Sequence, residues 1–153
     1  MQDLEAATLK KALSLLARRE HSTIELSRKL MARGIEEDLV ASVVSRLRGK
    51  NLLSDARFAE NFARQRIANG YGPVRIRHEL RERGIDEETA RQNLSQEGEE
   101  WIHKAAEVRR KRFGASRPKD HRDRARQIRF LSYRGFTNEH IRKVLDGMNH
   151  DQQ

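Results

Sequence analysis

Three hexapeptides, Leu30-Met31-Ala32-Arg33-Gly34-Ile35, Leu80-Arg81-Glu82-Arg83-Gly84-Ile85 and Leu131-Ser132-Tyr133-Arg134-Gly135-Phe136, share the pattern Leu-x-x-Arg-Gly-apolar. Their glycines stand 50 and then 51 residues apart, a spacing that marks an internal repeat. Each hexapeptide follows an amphipathic stretch and precedes another that opens on acids or Asn. The reading is helix, glycine stop, helix. Glycine suits the position just past a helix end, where the chain turns left-handed, and the apolar residue after it can fold back on the last turn.

A third amphipathic segment lies upstream of each pair. Leu9, Leu13 and Leu16 recur at i, i+4, i+7 in the first repeat; Phe58 and Phe62 with Ala59 and Ala63 mark the second; Trp101, Ala105 and Val108 mark the third. The pattern predicts an all-α fold, a tandem array of three three-helix repeats at 1–53, 54–96 and 97–153, elongated and curved because each small repeat must share apolar surface with its neighbour. Start signals agree with the division. Ser22 with Glu25 forms a capping box, Ser54-Asp55 opens the Phe58 helix, Pro73 suits a first helical position, and Thr137-Asn138 opens the last helix. Helices are expected over 4–18, 22–33, 36–49, 54–69, 73–83, 86–95, 97–112, 120–134 and 137–147. Phe113 to Lys119 is the most loop-like stretch and is expected to be mobile.

Composition narrows the chemistry. The 153 residues contain no cysteine, which removes disulfides, thiol nucleophiles and thiolate metal sites. The six histidines lack ligand spacing, and no calcium-loop pattern occurs, so no metal, cofactor or catalytic residues are expected. Apolar runs are short, and Met1-Gln2-Asp3-Leu4-Glu5 carries acids where a signal peptide needs bases, so the expectation is a soluble cytoplasmic protein with no membrane partner.

Charge is the strongest functional signal. The net charge is +9, and the excess is arginine, 24 Arg against 8 Lys, which favours a polyanionic partner through bidentate contacts. The alternative is a solvated helical surface with pairs such as Glu60/Arg64 and Glu79/Arg83. By repeat the balance is +3, +1 and +5, so the C-terminal repeat is the electropositive end. Within it Arg109-Arg110-Lys111-Arg112 closes one helix, a phosphate-tracking cluster or a cationic helix C-terminus. Arg122, Arg126 and Arg129 recur at i, i+4, i+7, largely opposite Ala125, Ile128 and Leu131. In the middle repeat Arg75, Arg77 and Arg81 flank the Ile76/Leu80 core pair. Gly70-Tyr71-Gly72-Pro73 reads as a turn with Tyr71 as a packing anchor or a base-stacking ring, and Trp101 reads as core or an association hot spot.

Leu52-Leu53-Ser54-Asp55-Ala56-Arg57-Phe58-Ala59-Glu60, then Gly70-Tyr71-Gly72-Pro73-Val74-Arg75-Ile76 and Glu79-Leu80-Arg81-Glu82-Arg83-Gly84-Ile85, resemble the core of the bacterial RecX regulatory proteins. Leu16-Ala17-Arg18-Arg19-Glu20-His21-Ser22 through Glu25-Leu26 is similar to that family's opening motif. The resemblance implies a modulator, mainly an inhibitor, of the RecA recombinase in recombinational DNA repair and the SOS response. Such proteins lie along the groove of the RecA filament on single-stranded DNA, block its extension or promote its disassembly, and depress ATP hydrolysis, strand exchange and co-protease activity. It carries over no catalytic residue. Partners are then the RecA filament and single-stranded DNA, with double-stranded DNA a further candidate, and the chain acts as a monomer. Arg75, Arg77, Arg81, Arg122, Arg126 and Arg129 are the candidate contacts to DNA or filament. A helix-turn-helix transcription regulator is the alternative, since trihelical units with glycine turns also describe that motif.

Overall fold

A computed structural model describes residues 2–94 and 98–150, without side chains at Gln2, Asn149 and His150. The described residues form helices and turns with no strand. The elements are α1 (Gln2–Arg18), α2 (Thr23–Met31), α3 (Glu37–Gly49), α4 (Asp55–Ala68), α5 (Pro73–Glu82), α6 (Glu87–Asn93), α7 (Gly98–Phe113), α8 (His121–Arg134) and α9 (Asn138–His150). The expected helix end at 95, the helix start at 97 and the repeat boundary between 96 and 97 lie outside the described residues. The last helix runs three residues past its expected end.

Contacts group the chain into two compact units. The first holds the residues through Phe62 with Leu80–Ala90; the second holds Ala63–Glu79 with the residues from Arg91 onward. Helices α4, α5 and α6 each contribute to both.

In the first unit α1, α2 and α3 pack on one another around Ala12, Leu15, Leu26, Leu30, Val43 and Leu47. The buried seam of α1 is displaced from the expected leucine stripe. Leu13 is 39% exposed, whereas Ala12 and Leu15 are buried, with Leu9 and Leu16 flanking them. Thr8 extends the buried seam toward the N-terminus by donating its hydroxyl to the Leu4 carbonyl at 2.7 Å, so a polar residue occupies a core position.

The helix starts have the expected chemistry. Ser22 Oγ accepts from the Glu25 amide at 3.1 Å while the Ser22 amide donates to Glu25 Oε1 at 3.1 Å, completing the capping box. Ser54 Oγ accepts from the Arg57 amide, and Asp55 Oδ1 accepts from the Thr23 amide at 2.7 Å, tying the start of α4 to the start of α2. The helix ends agree as well. Gly34, Gly84 and Gly135 all take positive φ, and after the latter two the next amide returns to the leucine carbonyl that opens the hexapeptide.

His21, 1% exposed, is a buried titratable group beside this cap. Lys29 Nζ lies 2.8 Å from Nε2, and an ammonium only donates, so Nε2 accepts and Nδ1–H donates to the Arg19 carbonyl at 3.1 Å. Burial lowers the imidazole pKa; the Arg19 carbonyl opposes this, and the Arg19 and Lys29 charges add to it. Burial opposes ionisation of Glu25 as well, but the Arg19 and Ser22 hydrogen bonds outweigh it and hold that carboxyl below its ordinary value. Because native His21 binds a proton less readily than the unfolded chain, its stabilising effect is complete above pH about 6.5 and is lost as pH falls below that value. His140 shifts in the same direction, chiefly by burial. Urea midpoints should therefore fall between pH 7.5 and pH 5.5, with a shallower fall in His21→Gln. An unchanged pH slope in that variant would refute the assignment.

In the second unit α7, α8 and α9 pack on one another, burying Trp101, Ala105, Val108, Leu131, Ile141 and Leu145. Trp101 stacks on His140 with ring centroids 6.4 Å apart, so it is a core residue and not an exposed hot spot. Asp120 caps α8 by accepting from the Asp123 amide at 2.8 Å.

Candidate nucleic-acid interface

The Gly70-Tyr71-Gly72-Pro73 turn does more than start α5. Its Gly72 amide donates to the Arg134 carbonyl at 2.8 Å, and the Val74 amide donates to the Gly135 carbonyl at 2.9 Å. Backbone hydrogen bonds thus join the first residues of α5 to the glycine stop of α8. The approach is so close that a Cβ on Gly72 would lie 2.5 Å from the Gly135 carbonyl oxygen. This contact brings Tyr71, Arg75, Tyr133 and Arg134 together.

Around half-buried Tyr71 three guanidinium carbons approach the ring centroid, Arg66 at 3.8 Å, Arg75 at 4.5 Å and Arg134 at 4.9 Å. Glu79 offsets part of this charge. It accepts from Arg66 Nε at 3.1 Å and Nη2 at 2.7 Å, a bidentate pair, and lies 4.0 Å from Arg75 Nε. Tyr71 is therefore a packing anchor whose packing partners are cations.

The aromatic and cationic contacts continue along the second unit. Arg134 and Arg112 approach the Phe130 ring at 5.3 and 5.7 Å, Phe130 meets Phe113 edge to face at 5.3 Å, and Arg126 covers Phe113 at 5.2 Å. Beside Phe130 opens a cleft of about 230 Å³ lined by Gly70, Lys104, Glu107, Arg112 and Arg134 among others. Lys104 and Lys111 lie 3.6 and 3.4 Å from Glu107 and hold that carboxyl below its ordinary range, mainly through the Lys104 charge. No acid of the described residues pairs with Arg112 or Arg134, so the cleft keeps a net positive lining.

Of the six arginines singled out from sequence, Arg75 lies inside this network. Arg77 is exposed on α5, and Arg81 belongs to the first unit, where it pairs with Glu87. Arg122, Arg126 and Arg129 form the exposed stripe on α8 that their spacing predicts. Arg126 pairs with Asp123 at 3.0 Å, while Arg122 and Arg129 form no ion pair among the described residues. The Lys119 amide, more than Arg126, keeps the Asp123 carboxyl below its ordinary value. Arg109 is no surface cation. It is 3% exposed and donates Nε to Gln127 Oε1 at 2.7 Å.

Sequence reasoning passed over Arg66, Tyr133 and Arg134, and it singled out Arg112 only as part of the cationic end of α7. Tyr133 had a readable signal, because it lies four residues beyond Arg129 on the same helical face. Arg134 was absorbed into the repeat signature it shares with Arg33 and Arg83. Among the described residues no cluster of three or more His, Asp or Glu side chains is placed to hold a metal ion, and no helix is long and apolar enough to cross a membrane.

Fold and surface together define a class, all-helical proteins of tandem three-helix domains that expose cations beside aromatic rings. Family models for the first, second and third three-helix domains of RecX match residues 9–47, 54–94 and 99–145, and the chain belongs to the RecX family of regulatory proteins. The regulatory protein RecX of Pseudomonas entomophila is 45% identical over 145 residues, 95% of this chain and 94% of that one. A relative of the same name from Pseudomonas putida is 42% identical over 149 residues, 97% and 96% of the two chains. The crystal structure of RecX from Lactobacillus salivarius matches with a TM-score of 0.83, covering 98% of this chain and 99% of that one, a likeness of fold at 20% identity.

Proposed function

We propose that this chain, a cytoplasmic monomer, regulates RecA by binding along the groove of its filament on single-stranded DNA, blocking extension or promoting disassembly. ATP hydrolysis, strand exchange and co-protease activity then fall together, as each needs the assembled filament. The observation that carries the reading is 45% identity to a protein named as regulatory RecX over 95% of the chain. The action is binding and not chemistry. A protein that binds one state of a filament more tightly than another shifts the equilibrium by that difference in affinity.

Three successive repeats, 1–53, 54–96 and 97–153, offer several modest contacts at once, and linked contacts add up to tight binding. Arg75, Arg77, Arg81, Arg122, Arg126 and Arg129 are the side chains assigned to DNA or filament.

The test is ATP hydrolysis by cognate RecA on single-stranded DNA, titrated with this protein from far below to equal molar amounts. Turnover should fall below stoichiometry if filament ends are capped or disassembly is driven, and only near saturation if the groove is filled along its length. No effect at any ratio, with duplex binding intact, would overturn the reading in favour of a helix-turn-helix transcription regulator.

A further inference from the structure

The exposed face of α8 does not end at Arg129. Positions 122, 126, 129 and 133 stand at i, i+4, i+7 and i+11, so Tyr133 continues the arginine row and the face runs about 16 Å along the helix. Tyr133 is 77% exposed, more than the other large apolar or aromatic side chains of the described residues. Its place is nevertheless defined. Arg75 lies 5.3 Å from the ring centroid and donates Nη1 to the Tyr133 backbone carbonyl at 3.4 Å.

We propose that this face, Arg122, Arg126, Arg129 and Tyr133, binds single-stranded nucleic acid, with the arginines on successive phosphates and an unpaired base stacked on Tyr133. Some exposed cations of this chain pair on their own helix, as Lys143 does with Glu139 at 3.1 Å and Lys111 with Glu107 at 3.4 Å, and others do not; what sets this face apart is the line of three arginines that ends on an exposed ring. On this face two of the three arginines have no carboxylate partner among the described residues, and the third has one surface partner of small energetic weight. A row of exposed cations ending on an exposed ring is the combination that tracks a flexible strand, the cations holding phosphate and the ring accepting any base. A duplex offers the phosphates but keeps its base faces stacked, so the ring distinguishes single strand from double. The strip deepens the regulatory reading and rests on it for its place at a filament, but not for its chemistry.

The experiment is fluorescence anisotropy of a labelled 20-residue oligothymidylate with the full chain and no RecA, over a salt series. Tyr133→Ala should weaken binding roughly tenfold, Tyr133→Phe should leave it unchanged, and on an abasic oligomer wild type and Tyr133→Ala should bind alike. Arg122→Glu with Arg129→Glu should flatten the slope of log affinity against log salt by about 1.4. The side chains are exposed, so circular dichroism should show unaltered folding. Equal affinity of wild type and Tyr133→Ala for oligothymidylate would overturn the strip, as would a duplex bound as tightly as the single strand. The two readings fail separately. RecA inhibition without oligonucleotide binding sinks the strip alone; Tyr133-dependent binding with no effect on RecA turnover sinks the regulatory reading alone.

Discussion

Alanine at Gly135 is expected to lower the melting temperature by on the order of 10 °C, alanine at Gly34 by a few degrees, and alanine at Gly147 to raise it slightly. All three substitutions add one methyl group, and the environments differ. Gly135 has φ +102° and lies against Arg75, so a Cβ there would overlap the Arg75 Cβ and stand 2.7 Å from its amide nitrogen. The left-handed backbone costs an alanine about 1–2 kcal/mol, and forcing two backbones apart costs about 1–3 kcal/mol more. Gly34 shares the backbone strain, with φ +84°, but faces open space, so only the first cost applies. Gly147 lies within α9 with nothing near the added carbon, and alanine there should gain about 0.5–1 kcal/mol. Thermal unfolding of the three variants checks the order. Equal losses at Gly34 and Gly135 would mean that the approach of α5 to the α8 stop contributes nothing.

The contrast among these glycines also separates what the sequence reveals from what it hides. A left-handed stop is a local property, and the repeated Arg-Gly-apolar signal announced it at all three positions. The close approach of Gly72 to Gly135 pairs residues 63 apart in sequence, and no local pattern encodes it. The same division holds for the candidate interface. The α8 arginine row is legible because helical periodicity places it on one face. The Arg134 contact to Tyr71 is illegible because it arises where a turn meets the end of a helix 63 residues further on, whereas Arg66 and Arg75 stand within five residues of the ring and only the path of the turn decides that they meet it. In α1 the leucine stripe misled by one position, since Thr8 satisfies its hydroxyl on its own helix and so fills a core site that hydropathy assigns to leucine.

Arg109 is the charge that counting by sign misplaces most, and its removal should be the most costly among the basic residues. Burial disfavours the charged guanidinium, and the Asp123 charge opposes that effect. Arg109 donates to Gln127 Oε1, to the Gly114 carbonyl at 3.2 Å and to the Ser116 carbonyl, so it straps the first part of the 113–119 segment to α7 and α8. That segment, expected from its composition to be mobile, is therefore tied down from below. Arg109→Ala leaves three acceptors without their donor, and at about 1–3 kcal/mol for each acceptor that stays dry the loss should reach about 3–5 kcal/mol. Arg109→Lys retains the charge but replaces the planar fork with a point donor, so it should recover only part of the stability. Limited trypsin digestion separates the strap from general destabilisation. Cleavage after Lys119 should speed up in both variants under conditions where the helices stay folded. Phe113 lies at the start of the same segment and packs edge to face on Phe130, so a loosened strap should also disturb the ring that Arg112 and Arg126 cover. Unchanged cleavage and an unchanged melting temperature in Arg109→Ala would show that the segment holds itself, and the buried guanidinium would then need another reason to be there.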